Sequence, residues 1–282
     1  MNQSTEEKLL DIICPIKDYD SKKSFLQNGF VVFNKITLPF LNALDSLCSN
    51  YIVEKEKTFQ YSLMEHSYEE NLILHQQLNE LLRPLLDSIF EQYSTYSGSL
   101  LIKPANSGTE MDLHQDWTFT DEKKFTPCTV WIPLQDTSEH NGSLFFLPGS
   151  HRIFNNFRSH HYETARISRH IFAKEVKSIM LNEGDFVVFN PACFHGSFPN
   201  ETSKQRVAIS ITVLDQNAPF LHIKKESEKN ARVFHLSSDC FLKDLAQLNE
   251  KYAFESDSFE SITYKHHVPK AEEISFKLAT HV

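Results

Sequence analysis

The chain has 282 residues, 40% of them hydrophobic and 23% charged, with a formal charge of −9. That composition is ordinary for a globular protein with a substantial core, and it argues against an intrinsically disordered chain. The net negative charge argues against a nucleic-acid or acidic-membrane surface, because phosphate binding needs a basic face. The start, MNQSTEEKLLDIICPIKDYD, lacks the cationic leader of a secretory signal, and the apolar runs are much shorter than the roughly 20 residues that cross a bilayer. Five cysteines (Cys14, Cys48, Cys128, Cys193, Cys240) never fall in C-x-x-C spacing. They read as reduced thiols, so the expected compartment is the cytoplasm.

In chain order, the first hundred residues read as helical in three pieces. Ser21 to Asn28 runs into the apolar Gly29-Phe-Val-Val-Phe33, Leu38 to Lys55 places Phe40, Leu41, Leu44 and Leu47 at helical spacing, and Asn71 to Tyr93 repeats Leu and Ile at three and four. Pro84 is expected to kink or restart the last helix. From Leu100 the texture turns to short runs rich in Val, Ile, Thr and Phe. The predicted strands are Leu100–Lys103, Asp112–Phe119, Cys128–Leu134, Ser143–Leu147, Ser178–Leu181, Asp185–Asn190, Val207–Val213 and Phe220–Ile223. Six of the seven glycines lie between 98 and 196, which concentrates tight turns there, Asn182-Glu-Gly-Asp185 among them. The expectation is a mainly β sandwich or barrel with flanking helices, in one domain over 1–282. Its helical part covers about 1–97, its core about 98–223 and an extension about 224–282.

The chemistry centres on Asp112-Leu-His-Gln-Asp-Trp-Thr-Phe119. In a strand, alternation sends His114 and Asp116 to one face, where both can reach one ion. The pair alone carries nothing, since His161-x-Glu163 repeats it in a chain with 14 His and 37 acidic residues. A third ligand is available in Asn190-Pro-Ala-Cys-Phe-His-Gly-Ser197, where His195 sits at a strand end before a glycine that permits close backbone approach. Two histidines and a carboxylate on one face leave three positions open, as in non-haem Fe(II) oxygenases. The H-E-x-x-H zinc motif and the G-x-S-x-G elbow are both absent. Arg206 opens the strand Val207–Val213, and a guanidinium at the mouth of an apolar strand calls for an anion, best a planar carboxylate held bidentately. A dicarboxylate would chelate iron with one end and meet Arg206 with the other.

Taken in order, H-Q-D-W at 114–117, Val130-Trp-Ile-Pro-Leu134, Asn141-Gly-Ser-Leu-Phe-Phe-Leu-Pro-Gly-Ser-His151, Glu183-Gly-Asp-Phe-Val-Val-Phe, Phe194-His-Gly-Ser197 and Arg206 resemble the phytanoyl-CoA dioxygenase family over about residues 20 to 215. The resemblance implies a double-stranded β-helix (jelly-roll) core and Fe(II), 2-oxoglutarate and O2 chemistry. It also implies His114, Asp116 and His195 as metal ligands, Arg206 and Ser197 on the far carboxylate of 2-oxoglutarate, and Trp131 lining its pocket. Lys103, in a matching Lys-Pro step, and Gln115, Trp117 and Phe119, flanking the metal strand, are candidate substrate contacts. The turn residues Asn141, Gly142, Pro148, Gly149 and Ser150 are read as structural and His151 as a loop residue. Halogenating relatives lack the ligand carboxylate, so Asp116 implies hydroxylation or the related desaturation, cyclisation or epimerisation.

The stretch from His151 to Lys177 carries six basic residues against Glu163 and Glu175. It reads either as a solvated surface or as a lid whose cations, Arg158 and Arg166 among them, attract an acidic small-molecule substrate. A second metal site from His160, His161 and Glu163 lacks strand signals and a third partner. The competing reading of the whole chain is a protein-modifying enzyme or a non-catalytic jelly-roll binding module. Residues 218 to 282 read as a domain extension or a dimer contact, with the chain a monomer or homodimer.

Overall fold

The computed structural model describes residues 12–52, 58–154, 156–159, 164–237, 242 and 259–280. The helical layer comes first: α1 (Tyr19–Asn28), α2 (Leu38–Ser49), the single turn α3 (Ser62–Glu65) and α4 (Tyr68–Asp87). Helix α4 starts three residues before the hydrophobic repeat, because Ser67 and Glu70 form a reciprocal capping box ahead of it. It also runs past Pro84 to Asp87 without a restart. Helix α2 stops at Ser49, short of the expected Lys55.

The β core consists of β1 (Phe30–Asn34), β2 (Gln60–Tyr61), β3 (Tyr93–Lys103), β4 (Met111–His114), β5 (Cys128–Pro133), β6 (Leu144–Phe146), β7 (Lys177–Ile179), β8 (Asp185–Phe189), β9 (His195–Ser197) and β10 (Arg206–Asp215). Six of these strands form one sheet in the order β1-β8-β5-β10-β3-β2, and four form a second in the order β4-β9-β6-β7. The two antiparallel sheets face each other as a jelly roll. Period-two alternation explains how the larger sheet serves two masters. In β5 and β10, Cys128, Val130 and Ile132 with Val207, Ile209, Ile211 and Val213 join the core under the helices, packed on Leu74, Leu78 and Leu82 of α4. The intervening Thr129, Trp131, Ser210 and Thr212 turn inward to a cavity between the sheets. Alternation along each strand thus builds a dry outer face from one set of residues and a cavity-lining inner face from the other.

The described part of the extension carries its own regular elements. β11 (Leu221–Lys225), β12 (Asn230–His235) and β13 (Phe259–Thr263) form a three-stranded antiparallel sheet, and α5 (Ala271–Thr280) follows. Ile274 of α5 is buried among Phe154, Phe172 and Phe194. No helix among the described residues is long and apolar enough to cross a membrane.

Candidate metal and co-substrate site

The two histidines are brought together by the sheet. β4 and β9 pair antiparallel with His114 directly opposite His195, their ring centroids 4.5 Å apart. The strand expected to continue to Phe119 ends at His114, so Asp116 does not reach the site by strand alternation. An irregularity in the β4–β9 pairing and competing main-chain partners end the ladder. The Asp116 N–H donates to the Pro191 carbonyl at 2.9 Å, and the Gln115 side chain donates to that of Ala192 at 2.6 Å. The carboxylate nevertheless lands between the rings, with Oδ1 3.7 Å from His114 Nε2 and Oδ2 3.6 Å from His195 Nε2. Donor atoms of all three side chains lie within 4.8 Å of one another, close enough for one ion to touch each.

Both imidazoles are aimed from behind. His114 Nδ1 lies 2.8 Å from the Asp112 carbonyl and His195 Nδ1 2.9 Å from that of Cys193. A carbonyl can only accept, so each Nδ1 carries the proton and each Nε2 presents its lone pair toward Asp116, the arrangement that outer partners impose on metal-binding histidines. Burial, then the neighbouring His195, pushes His114 down to about 4, which keeps it neutral and ready to ligate at pH 7. Gly196 lines the same site, and its lack of a side chain answers a close packing need. A Cβ there would sit 2.3 Å from the Met111 carbonyl oxygen and 2.6 Å from the Phe145 ring. Gly196→Ala is expected to force β4 from β9 and destabilise the fold by about 1–3 kcal/mol or more, read as a lower urea midpoint.

The second half of the site is Arg206, the first residue of β10. It is 2% exposed, yet among the described residues it faces no carboxylate: Nη1 donates to the Leu101 carbonyl at 3.1 Å and Nε has no partner. Burial lowers its pKa to about 9. The guanidinium lies 5.3 Å from the Trp131 ring, which backs it as a flat wall. Arg206, Ser197 and Trp131 line the same cavity of about 310 Å³ as the three ligands. An uncompensated buried guanidinium is costly, and this one opens toward the place where an anion would bring its missing charge. The donor set and the orphaned arginine together fit ferrous iron and a keto-diacid.

Of the candidate substrate contacts, Gln115, Trp117 and Phe119 line the cavity. Lys103 is not among its lining and is corrected to a packing role. Its ammonium, buried beside Arg206, is spent on the carbonyls of Thr109 and Ser197, each at 3.1 Å, and on that of Phe198. The basic stretch divides in the same way. Arg166 lines the cavity, whereas Arg158 is 3% exposed and paired with Glu122 at 2.6 Å, so it is not a cation offered to substrate. Arg169 is likewise paired, with Glu110 at 2.9 Å. His160, His161 and Glu163 lie outside the described residues. Sequence reasoning missed Phe59, Tyr61 and Met64, which wall the cavity from around β2 and α3. A two-residue strand gives no periodic signal. It also missed Ser210 and Thr212, although the alternation along β10 marks them.

Comparison with known proteins agrees with this arrangement. Over 301 aligned residues the chain is 21% identical to the peroxisomal phytanoyl-CoA dioxygenase of Bos taurus, covering 91% of this chain and 83% of that one. The human peroxisomal phytanoyl-CoA dioxygenase is 25% identical over 259 residues, or 75% of this chain and 72% of its own. EvdO2 from Micromonospora carbonacea var. aurantiaca, solved in complex with 2-oxoglutarate, is similar in fold, with a TM-score of 0.54 at 16% identity over 76% of this chain and 97% of that one. The family model for phytanoyl-CoA dioxygenase (PhyH) matches residues 44–208, more than half of the chain, including the three metal-binding side chains and Arg206. The chain accordingly belongs to the phytanoyl-CoA dioxygenase family and is a 2-oxoglutarate-dependent non-haem iron dioxygenase.

Proposed function

We propose that the protein hydroxylates an unactivated C–H bond of a small acidic molecule. The single observation behind the site assignment is a buried arginine without an anion, in the same cavity as three convergent metal-binding side chains. In this reading His114, Asp116 and His195 hold Fe(II) on one face. Arg206 and Ser197 take the far carboxylate of 2-oxoglutarate, with Trp131 keeping the guanidinium planar to it. Bound iron supplies the oxidising chemistry with O2, and 2-oxoglutarate leaves as succinate and CO2. The chain supplies orientation and dryness. Fixed Nδ1 bonds keep both imidazoles aimed, and Trp117, Phe119 and Phe189 present apolar surface that excludes bulk water from the reacting carbon.

Arg166 supports the acidic substrate. It lines the cavity and has no ion pair among the described residues, and its charge is felt by the half-buried His114. The test is succinate release with Fe(II), O2 and 2-oxoglutarate across a library of small acids. Stimulation by one member identifies the substrate. For that substrate, Arg166→Glu should raise KM about 2- to 5-fold, on the scale of up to about 1 kcal/mol for a partly exposed pair. An unchanged KM would remove Arg166 from the substrate site.

A further inference from the structure

Asp116 is the ligand that the sheet does not hold. β4 ends at His114. Among the described residues, the Asp116 carboxylate pairs with the two imidazoles and has no hydrogen bond behind it of the kind that the carbonyls of Asp112 and Cys193 give the histidines. Its main chain is gripped instead. The N–H goes to Pro191, and the carbonyl accepts a hydrogen bond from Arg158 Nε at 2.6 Å.

Arg158 is itself immobilised at every polar atom. Nη2 meets Glu122 Oε1 at 2.6 Å and Nη1 donates to the Asn156 carbonyl at 2.9 Å. The main chains of Arg158 and Thr118 pair as well: the Thr118 N–H donates to the Arg158 carbonyl at 2.8 Å, and the Arg158 N–H to Thr118 Oγ1 at 3.1 Å. The short segment bearing Arg158 is tied to the carboxyl-terminal sheet and the residues after it. Asn156 Nδ2 donates to His267, the Phe157 N–H to the Tyr264 hydroxyl, and Ser159 Oγ to Ile223 of β11. A buried ion pair gives little net stability over an apolar pair of the same shape; what it adds is direction.

We propose that Arg158 is a positioning residue of the metal centre, locked by Glu122 so that its hold on the Asp116 carbonyl aims the carboxylate between His114 and His195. This rests on the three-ligand reading of the site. The experiment titrates Co(II) into the purified protein without oxygen, following the visible absorption of the bound ion, alongside urea unfolding. Arg158→Gln is expected to weaken Co(II) binding about 10- to 100-fold, the scale of a lost outer partner, and to alter the absorption envelope. Arg158→Lys, which can keep either the carbonyl or Glu122 but not both, falls between it and wild type. Glu122→Gln leaves the guanidinium in place but unlocked, serves if Arg158→Gln does not fold, and should weaken binding about 10-fold. Wild-type Co(II) affinity and absorption in a folded variant, with only the urea midpoint lowered, would reduce Arg158 to a fold contact. Absence of Co(II) binding by the wild-type protein would overturn the ligand assignment itself.

Discussion

Arg206→Met is expected to weaken 2-oxoglutarate binding by about 30-fold or more while leaving the ligand-free protein as stable as wild type or more so. Both halves follow from one fact. The guanidinium is taken out of water at the mouth of β10 and is left without an anion. Binding restores the missing charge, so removing the arginine discards a buried charge-assisted pair, the kind of contact whose truncation costs about 2–5 kcal/mol. In the free protein the same substitution removes an unpaid desolvation cost and substitutes an unbranched apolar chain that can lie against Trp131. The measurement is a 2-oxoglutarate titration of the metal-loaded variant, paired with thermal unfolding of the unloaded one. A variant that binds 2-oxoglutarate normally and melts early would show that Arg206 serves only the fold.

Asp116→Ala should abolish succinate formation and lower iron affinity by more than the roughly 10- to 100-fold lost with a mere outer partner. The carboxylate is the one anion among the three ligands, so its removal leaves two neutral imidazoles facing a divalent ion. Its side chain is 36% exposed and packs little, so folding stability should change by less than about 0.5 kcal/mol. Iron retained after dialysis, assayed with a colorimetric chelator, reads the first effect and a urea curve the second. Iron bound as tightly by the alanine variant would displace Asp116 from the metal.

The three-side-chain cluster and Arg206 were legible through the ordered series of motifs from H-Q-D-W to Arg206, since the His-x-acid pair alone carries nothing, and Arg206 stood out further as a guanidinium at the mouth of an apolar strand. The jelly-roll core was legible for a related reason, since strand alternation and clustered glycines are local signals. What was not legible depends on partners distant in the chain. Nothing near position 116 announces that Pro191 and Arg158 end the ladder after His114. Nothing near position 158 shows that Glu122 claims its charge, so a basic stretch that reads either as solvated surface or as a lid holds one cavity-facing arginine beside two paired ones. Lys103 was offered as a candidate by its Lys-Pro step alone, and nothing near it in sequence shows that main-chain carbonyls from two other segments take up its ammonium.

The carboxyl-terminal sheet lies beyond the residues matched by the family model, yet its neighbours grip the chain that grips Asp116. On the proposal that Arg158 aims Asp116, heritable change near Tyr264 or His267 would retune reactivity about 150 positions away with every ligand intact. Such a remote dial lets descendants of one oxygenase diverge in pace or selectivity while their signature motifs stay the same.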